Sequence, residues 1–153
     1  MVRLSDLPED YADGLRKLPM PVFETTPWVP GPRLRDARVA IVTTAGLHRA
    51  SDAKFAGGSG DYRLLPADID YAELVMSHVS GNFDRTGFQQ DVGTVLPLEH
   101  LKQMQAEGEI GSVARWHYSF MGATDPTRMV ESARHVTRLQ REDGVNAVVL
   151  VPV

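Results

Sequence analysis

The residues best able to do chemistry in this chain are three histidines and an acid–base neighbour pair: His48, His78, His117, Asp84 and Arg85. Imidazole titrates near neutrality, so His78 and His117 can move protons or contact a polar substrate. Each reads equally as a hydrogen-bonded core or loop histidine. Asp84 and Arg85 stand in the run NFDR. Arg85 can take a carboxylate in its planar fork with Asp84 orienting it. With Asn82, the same residues also read as a turn held by cap side chains. The candidates for catalysis are therefore His78, His117 and Asp84, and those for substrate contact Thr44, His48, Asn82, Arg85 and Ser119. Three imidazoles suit a zinc centre, but His48, His78 and His117 lie far apart with no HExxH spacing, so no metal is expected. Gly57, Gly58 and Gly60 match neither a GxGxxG fingerprint nor a P-loop, and no GxSxG elbow supports Ser119 as a nucleophile.

Composition narrows the chemistry further. None of the 153 residues is Cys, which excludes disulfides, zinc-thiolate sites, iron–sulfur clusters and a cysteine nucleophile within this sequence. As written, the chain cannot perform thiol or selenol redox chemistry itself. With 42% apolar and 24% charged residues it has ordinary globular composition. A formal net charge of -4 disfavours a nucleic-acid binder and gives no polybasic signal for a membrane surface. Residues 1–18 carry four acidic side chains and no apolar run, so they are not a secretory signal. A cytoplasmic location is the default expectation.

The elements that would position these residues follow from periodicity. Leu4, Leu7, Tyr11, Leu15 and Leu18 mark a short amphipathic helix. Pro19, Pro21, Pro27, Pro30 and Pro32, interleaved with Phe23 and Trp28, predict an extended arm whose aromatic rings anchor it to the domain surface or to a partner subunit. The β-branched run Arg38–Thr43 predicts a buried strand, followed by a polar loop over Thr44–Arg49. Lys54–Tyr62 reads as a flexible connection, Tyr71–Ser77 as a second strand, Ser112–Phe120 as a third and Val145–Val151 as a fourth. Helices are expected over Leu98–Glu107, with Gly108 as C-cap, and from Thr124-Asp125-Pro126 to Gly144. Strands that alternate with helices and are apolar throughout predict an α/β fold: about four strands in a small, mostly parallel, Rossmann-like sheet with helices on both faces. The expected organisation is one domain, with an N-terminal helix and proline-rich arm over 1–37 and the α/β unit over 38–153. Ligands of open α/β sheets bind beyond the strand C-termini. Thr44 and His48, His78 through Arg85, His117 and Ser119, and Pro152-Val153 follow or close the four strands and would converge there if all run parallel.

The segments SHVSGNFDRTGFQQD (Ser77–Asp91), LPLEHLKQMQAEGEIGSVA (Leu96–Ala114), HYSFMGA (His117–Ala123) and GVNAVVLVPV (Gly144–Val153), with TTAGLH (Thr43–His48), resemble selenoprotein B of the glycine/sarcosine/betaine reductases and the related D-proline reductase subunit. The resemblance runs over most of the chain, from about Arg38 to Val153, with its motifs in order. It implies reductive cleavage of a carbon–nitrogen bond in a small amine or amino-acid-like substrate. It also implies pyruvoyl-type or thioredoxin-like partner subunits, and leaves a homo-oligomer open. In that family the run LVPV is followed by selenocysteine, or cysteine in some members. The expectation is a chain that stops one residue short of its redox atom, at a UGA codon read as stop, and that is inactive alone. The alternatives are a non-redox binding or assembly subunit complete at Val153, and a hydrolase using the histidines and Asp84.

Overall fold

The computed structural model describes residues 3–17, 22, 24, 26–81, 83 and 85–153. Among these, the strands are β1 (Arg38–Thr43), β2 (Leu47–Arg49), β3 (Tyr62–Pro66), β4 (Leu74–Met76), β5 (Ser112–Val113), β6 (Trp116–Phe120) and β7 (Ala147–Val151). The α-helices are α1 (Glu9–Arg16), α2 (Thr86–Gln90), α3 (Leu98–Ala106) and α4 (Val130–Glu142).

β1 is the axis of the main sheet. β7 pairs with it in parallel along one side, from Val39↔Ala147 to Thr43↔Val151. β5 and β6 pair with it in parallel along the other side, one after the other. β3 then closes that side antiparallel to β6. The α/β reading and the mixed, largely parallel sheet are thus present. Two corrections apply. The second expected strand is short, is preceded by a 3-10 turn capped by Asp70, and pairs antiparallel with β2 outside the main sheet. The edge strand β3 falls where the sequence indicates only the end of a flexible connection.

The third expected strand is interrupted. Between the pairs Val39↔Val113 and Val42↔Tyr118, β1 advances three residues while its partner advances five. The excess is a bulge around Ala114 and Arg115, and it opens the ladder opposite Ile41.

Each face of the sheet has its own core. Val39 and Ile41 of β1 pack with Leu98 and Leu101 of α3, Leu65 of β3 and the segment Val95-Leu96. Ala40, Tyr118 and Phe120 pack on the opposite face with Val136 of α4, and Met129 and Leu139 flank that cluster. Gly108 (φ 73°) and Gly144 (φ 71°) adopt the left-handed conformation just past α3 and α4, as their sequence positions require. Asp125 accepts the Thr127 N–H at 2.9 Å and opens a 3-10 turn over Pro126–Met129 that leads into α4. Of the expected stripe on this helix, Val130 turns outward and is exposed.

Leu18, Pro19, Pro21 and Phe23 of the proline-rich segment lie outside the described residues. Residues 26–33 form neither helix nor strand, and Trp28 is 86% exposed, so it does not anchor this segment within the chain. Val148 and Leu150 of β7 are also exposed, on the face opposite α3. No described helix is long and apolar enough to cross a membrane.

Candidate functional site

The last residues of β1 and β7 are tied together by Thr44. Its N–H donates to Val151 O (3.1 Å), and its hydroxyl accepts the Val153 N–H (2.9 Å) and reaches Val153 O (3.4 Å). Next to it, Gly46 turns the chain at φ 68°, donates to Phe120 O at the end of β6 (2.8 Å) and accepts from Ser77 N (2.9 Å). This stitch brings the residues after β4 to the strand-end edge, although β4 is not part of the main sheet. A Cβ at Gly46 would lie 2.9 Å from His78 N, so only glycine lets the two loops touch. Gly122, at φ 80° beyond β6, is pressed in the same way: a Cβ there would meet Thr44 O at 2.6 Å and His78 Nε2 at 3.1 Å.

His78 therefore sits between the turns that follow β1 and β6, and it is buried. Its Nδ1 accepts the Ser80 N–H at 3.2 Å. Burial first, and the nearby Arg85 guanidinium second, hold its pKa below the ordinary imidazole value. The ring is thus neutral at physiological pH. With Nδ1 accepting, the proton belongs on Nε2. That N–H is sealed from solvent and has no acceptor among the described residues. Arg85 fixes the loop by donating to His78 O (2.6 Å) and Ser80 O (3.2 Å), and the Phe83 ring lies 4.8 Å from the His78 ring. The arrangement offers one buried, oriented hydrogen-bond donor at the Gly122 turn next to Thr44. Its chemistry is to meet a developing anion or a lone pair at the strand ends.

The other candidates separate. His48 on β2 is buried; its Nε2 lies 2.7 Å from Ser77 Oγ and its Nδ1 2.7 Å from Arg49 O. It reaches the His78 region only through Ser77. His117 and Ser119 alternate onto the α3 face of β6 and are completely buried. His117 Nδ1 accepts the Ile41 N–H at 3.0 Å, the donor that the bulge leaves without a strand partner. Burial pushes its pKa down to about 4. Ser119 pairs with Thr43 in register, and neither its Oγ nor His117 Nε2 has a partner among the described residues. Asn82 and Asp84 lie outside the described residues. Among those described, no three His, Asp or Glu side chains gather to hold a metal.

Three residues that the candidate list lacks shape the site: Ser77, Gly46 and Gly122. The signal for each is a small residue at or within three residues of the end of a predicted strand.

The class of protein so defined is a mixed α/β domain with a buried histidine donor at the C-terminal edge of its parallel strands. The family model for glycine/sarcosine/betaine reductase selenoprotein B matches residues 10–153, and the chain belongs to that family. It is 29% identical over 135 residues to the D-proline reductase subunit gamma of Acetoanaerobium sticklandii, covering 86% of this chain and 55% of that protein. It is 29% identical over 147 residues to the glycine reductase complex component B subunit gamma of Carboxydothermus hydrogenoformans, covering 88% of this chain and 32% of the relative. With the sarcosine reductase complex component B subunit beta of Peptoclostridium acidaminophilum it shares 32% over 141 residues, again 32% of the relative. The chain thus spans about half, or about a third, of the length of these relatives. No solved structure gives a significant match.

Proposed function

We propose that this chain is the selenoprotein B-type scaffold of a reductase that cleaves a carbon–nitrogen bond in a small amine or amino acid, with the redox atom carried by a selenocysteine or cysteine following Val153. One observation carries the reading: the Nε2–H of His78, which has no acceptor among the described residues and faces the Gly122 turn against Thr44, the residue that holds the backbone of Val153. A selenolate or thiolate at that position would supply the soft nucleophile.

The chain's own residues have the complementary tasks. Thr44 holds the backbone of Val153, so whatever continues from it starts at this edge. His78, neutral and buried, donates from Nε2 to negative charge forming there, which favours the ionised form of the nucleophile. Arg85 keeps the His78 loop in place through two carbonyls and adds positive potential. The pyruvoyl-type and thioredoxin-like partners, and the C–N cleavage itself, are carried over from the family resemblance and from relatives named for glycine, sarcosine and D-proline reduction.

The test is to read the coding sequence after the Val153 codon and weigh the product made by the native host. A UGA followed by an in-frame segment with proline and cysteine, and a heavier selenium-containing product, supports the proposal. An ordinary stop codon with a native mass of 16.9 kDa overturns it and makes the chain a binding or assembly subunit.

A further inference from the structure

The N-terminal segment carries more than half of the large apolar side chains that are exposed among the described residues. Leu4 and Leu15, from the stripe that marks the first helix, lie in water, and no described residue before Ala37 belongs to either core cluster. Val22, Trp28, Val29 and Leu34 are more exposed still. A monomer that keeps so much apolar surface in one segment marks it as a contact surface.

The same segment forms one wall of a groove. Pro27 to Pro32 face Thr137, Gln140 and Arg141 of α4 and the run Val145 to Val148 that leads into β7. The space between is about 530 Å³ and mainly apolar, and no described residue of α1 lines it. Its three prolines hold that wall stiff.

Charge marks one rim of the groove and the helix that would fill it. Arg138 and Arg141 stand one turn apart on α4, exposed and without an acidic partner among the described residues. Arg134, further along, is already paired with Glu131. On α1, Glu9 and Asp13 pair with Arg16. Asp10 has no basic partner among the described residues, and Asp6 accepts only the Arg3 N–H and the Ser5 hydroxyl, which are neutral. One chain thus holds both halves of a complementary pair, two free acids beside exposed leucines and two free arginines beside an apolar groove, and brings neither to the other.

We infer that two copies of this chain exchange their N-terminal segments, the α1 of each lying in the groove of the other with Leu4 and Leu15 turned inward and Asp6 and Asp10 against Arg138 and Arg141. Residues 17–26 can span up to about 40 Å, enough to reach a neighbour. A two-fold arrangement makes each contact twice and closes the assembly. The inference is independent of the reductase reading, because it uses none of Thr44, His78 or Val153.

The test is sedimentation equilibrium of the full 153-residue chain and of two charge-reversed variants. Between about 1 µM and 1 mM the native chain should show a reversible monomer–dimer equilibrium, weakened by salt. Asp6→Lys with Asp10→Lys, and separately Arg138→Glu with Arg141→Glu, should each weaken dimerisation by about tenfold or more. All four positions are exposed, so the fold should persist in both variants. An equimolar mixture of the two variants should restore a heterodimer of near-native affinity, because each reversed α1 then meets a reversed α4 and each native α1 a native one. A native chain that is monomeric throughout that range, a dimer indifferent to both reversals, or a mixture without heterodimer would each overturn the inference. Reversals that lower the urea midpoint of a chain sedimenting as a monomer would place α1 in its own groove and refute exchange equally.

Discussion

The bulge in the sheet predicts a specific acid sensitivity. His117 closes the gap opposite Ile41 by accepting its N–H at Nδ1, and it can do so only while that nitrogen is unprotonated. The unfolded chain binds a proton on this histidine at about pH 6.5, whereas the folded protein resists until its pKa of about 4. Between these values the unfolded state holds more protons, so stability falls as pH falls. The contribution is fully present above the unfolded pKa and is lost progressively down to the folded one. A drop from 6.5 to about 4 corresponds to ~3 kcal/mol, a large part of the stability of a domain this size. His117→Asn isolates the effect. The Oδ1 of asparagine can take the Ile41 N–H from nearly the place of Nδ1, but it does not titrate. Urea unfolding of wild type and variant between about pH 7 and pH 4.5 should give two curves that diverge: wild type steeper, the variant flatter by most of that ~3 kcal/mol. All other titrating groups cancel in the difference. His117→Ala should instead cost about 3 kcal/mol or more near neutrality, by orphaning a buried N–H and leaving a cavity. Parallel pH profiles for wild type and His117→Asn would refute the reasoning, because the imidazole would then not be the group that titrates.

Other expectations follow from the same contacts. Gly122→Ala drives a Cβ to 2.6 Å from Thr44 O in a left-handed conformation; a loss of about 2 kcal/mol should appear in denaturant unfolding. Gly14→Ala has open space on α1 and should raise thermal stability slightly, by about 0.5–1 kcal/mol. Asp143 joins Arg38 to the Arg115 N–H across the bulge, so Asp143→Ala should cost about 2–3 kcal/mol, measurable as a lower urea midpoint. Thr44→Val removes the acceptor for Val153 N–H, and hydrogen exchange at that amide should accelerate while exchange in the middle of β1 is unchanged.

The elements legible in the sequence are those whose own residues decide them. Arg38–Thr43 and Val145–Val151 are apolar runs that read as strands and form them; the first is buried as expected, whereas the second is half-exposed, because β1 alone pairs with it among the described residues. Gly108 and Gly144 end helices for reasons local to the chain. What escaped is decided by distant partners. Leu47–Arg49 and Tyr62–Pro66 carry arginine, histidine and proline, and become strands only because β4 and β6 offer them edges. The bulge inside Ser112–Phe120 is a matter of register against β1, which no single segment encodes. The site divides the same way. Thr44 and His78 are candidates because they follow predicted strands, yet His78 arrives at that edge by the Gly46 stitch and not by a parallel strand of its own. His117 lies within its strand, and its role depends on a gap two strands' worth of register had to create.

β7 has a bearing on how this protein behaves in a test tube. Among the described residues it pairs with β1 alone, and Leu150 is 71% exposed on it. A half-bare strand with Val148 and Leu150 on its open face is a template for pairing between molecules, so solubility at high concentration should respond to substitutions on this face. The period-two alternation also says how to engineer around it. Leu150→Lys points its charge into water, whereas a charge at Val149 or Val151 would enter the α3 core. Solubilising the edge at Leu150 and preserving the Thr44 clasp are therefore compatible, because the clasp uses the backbone of Val153, beyond the last residue of β7.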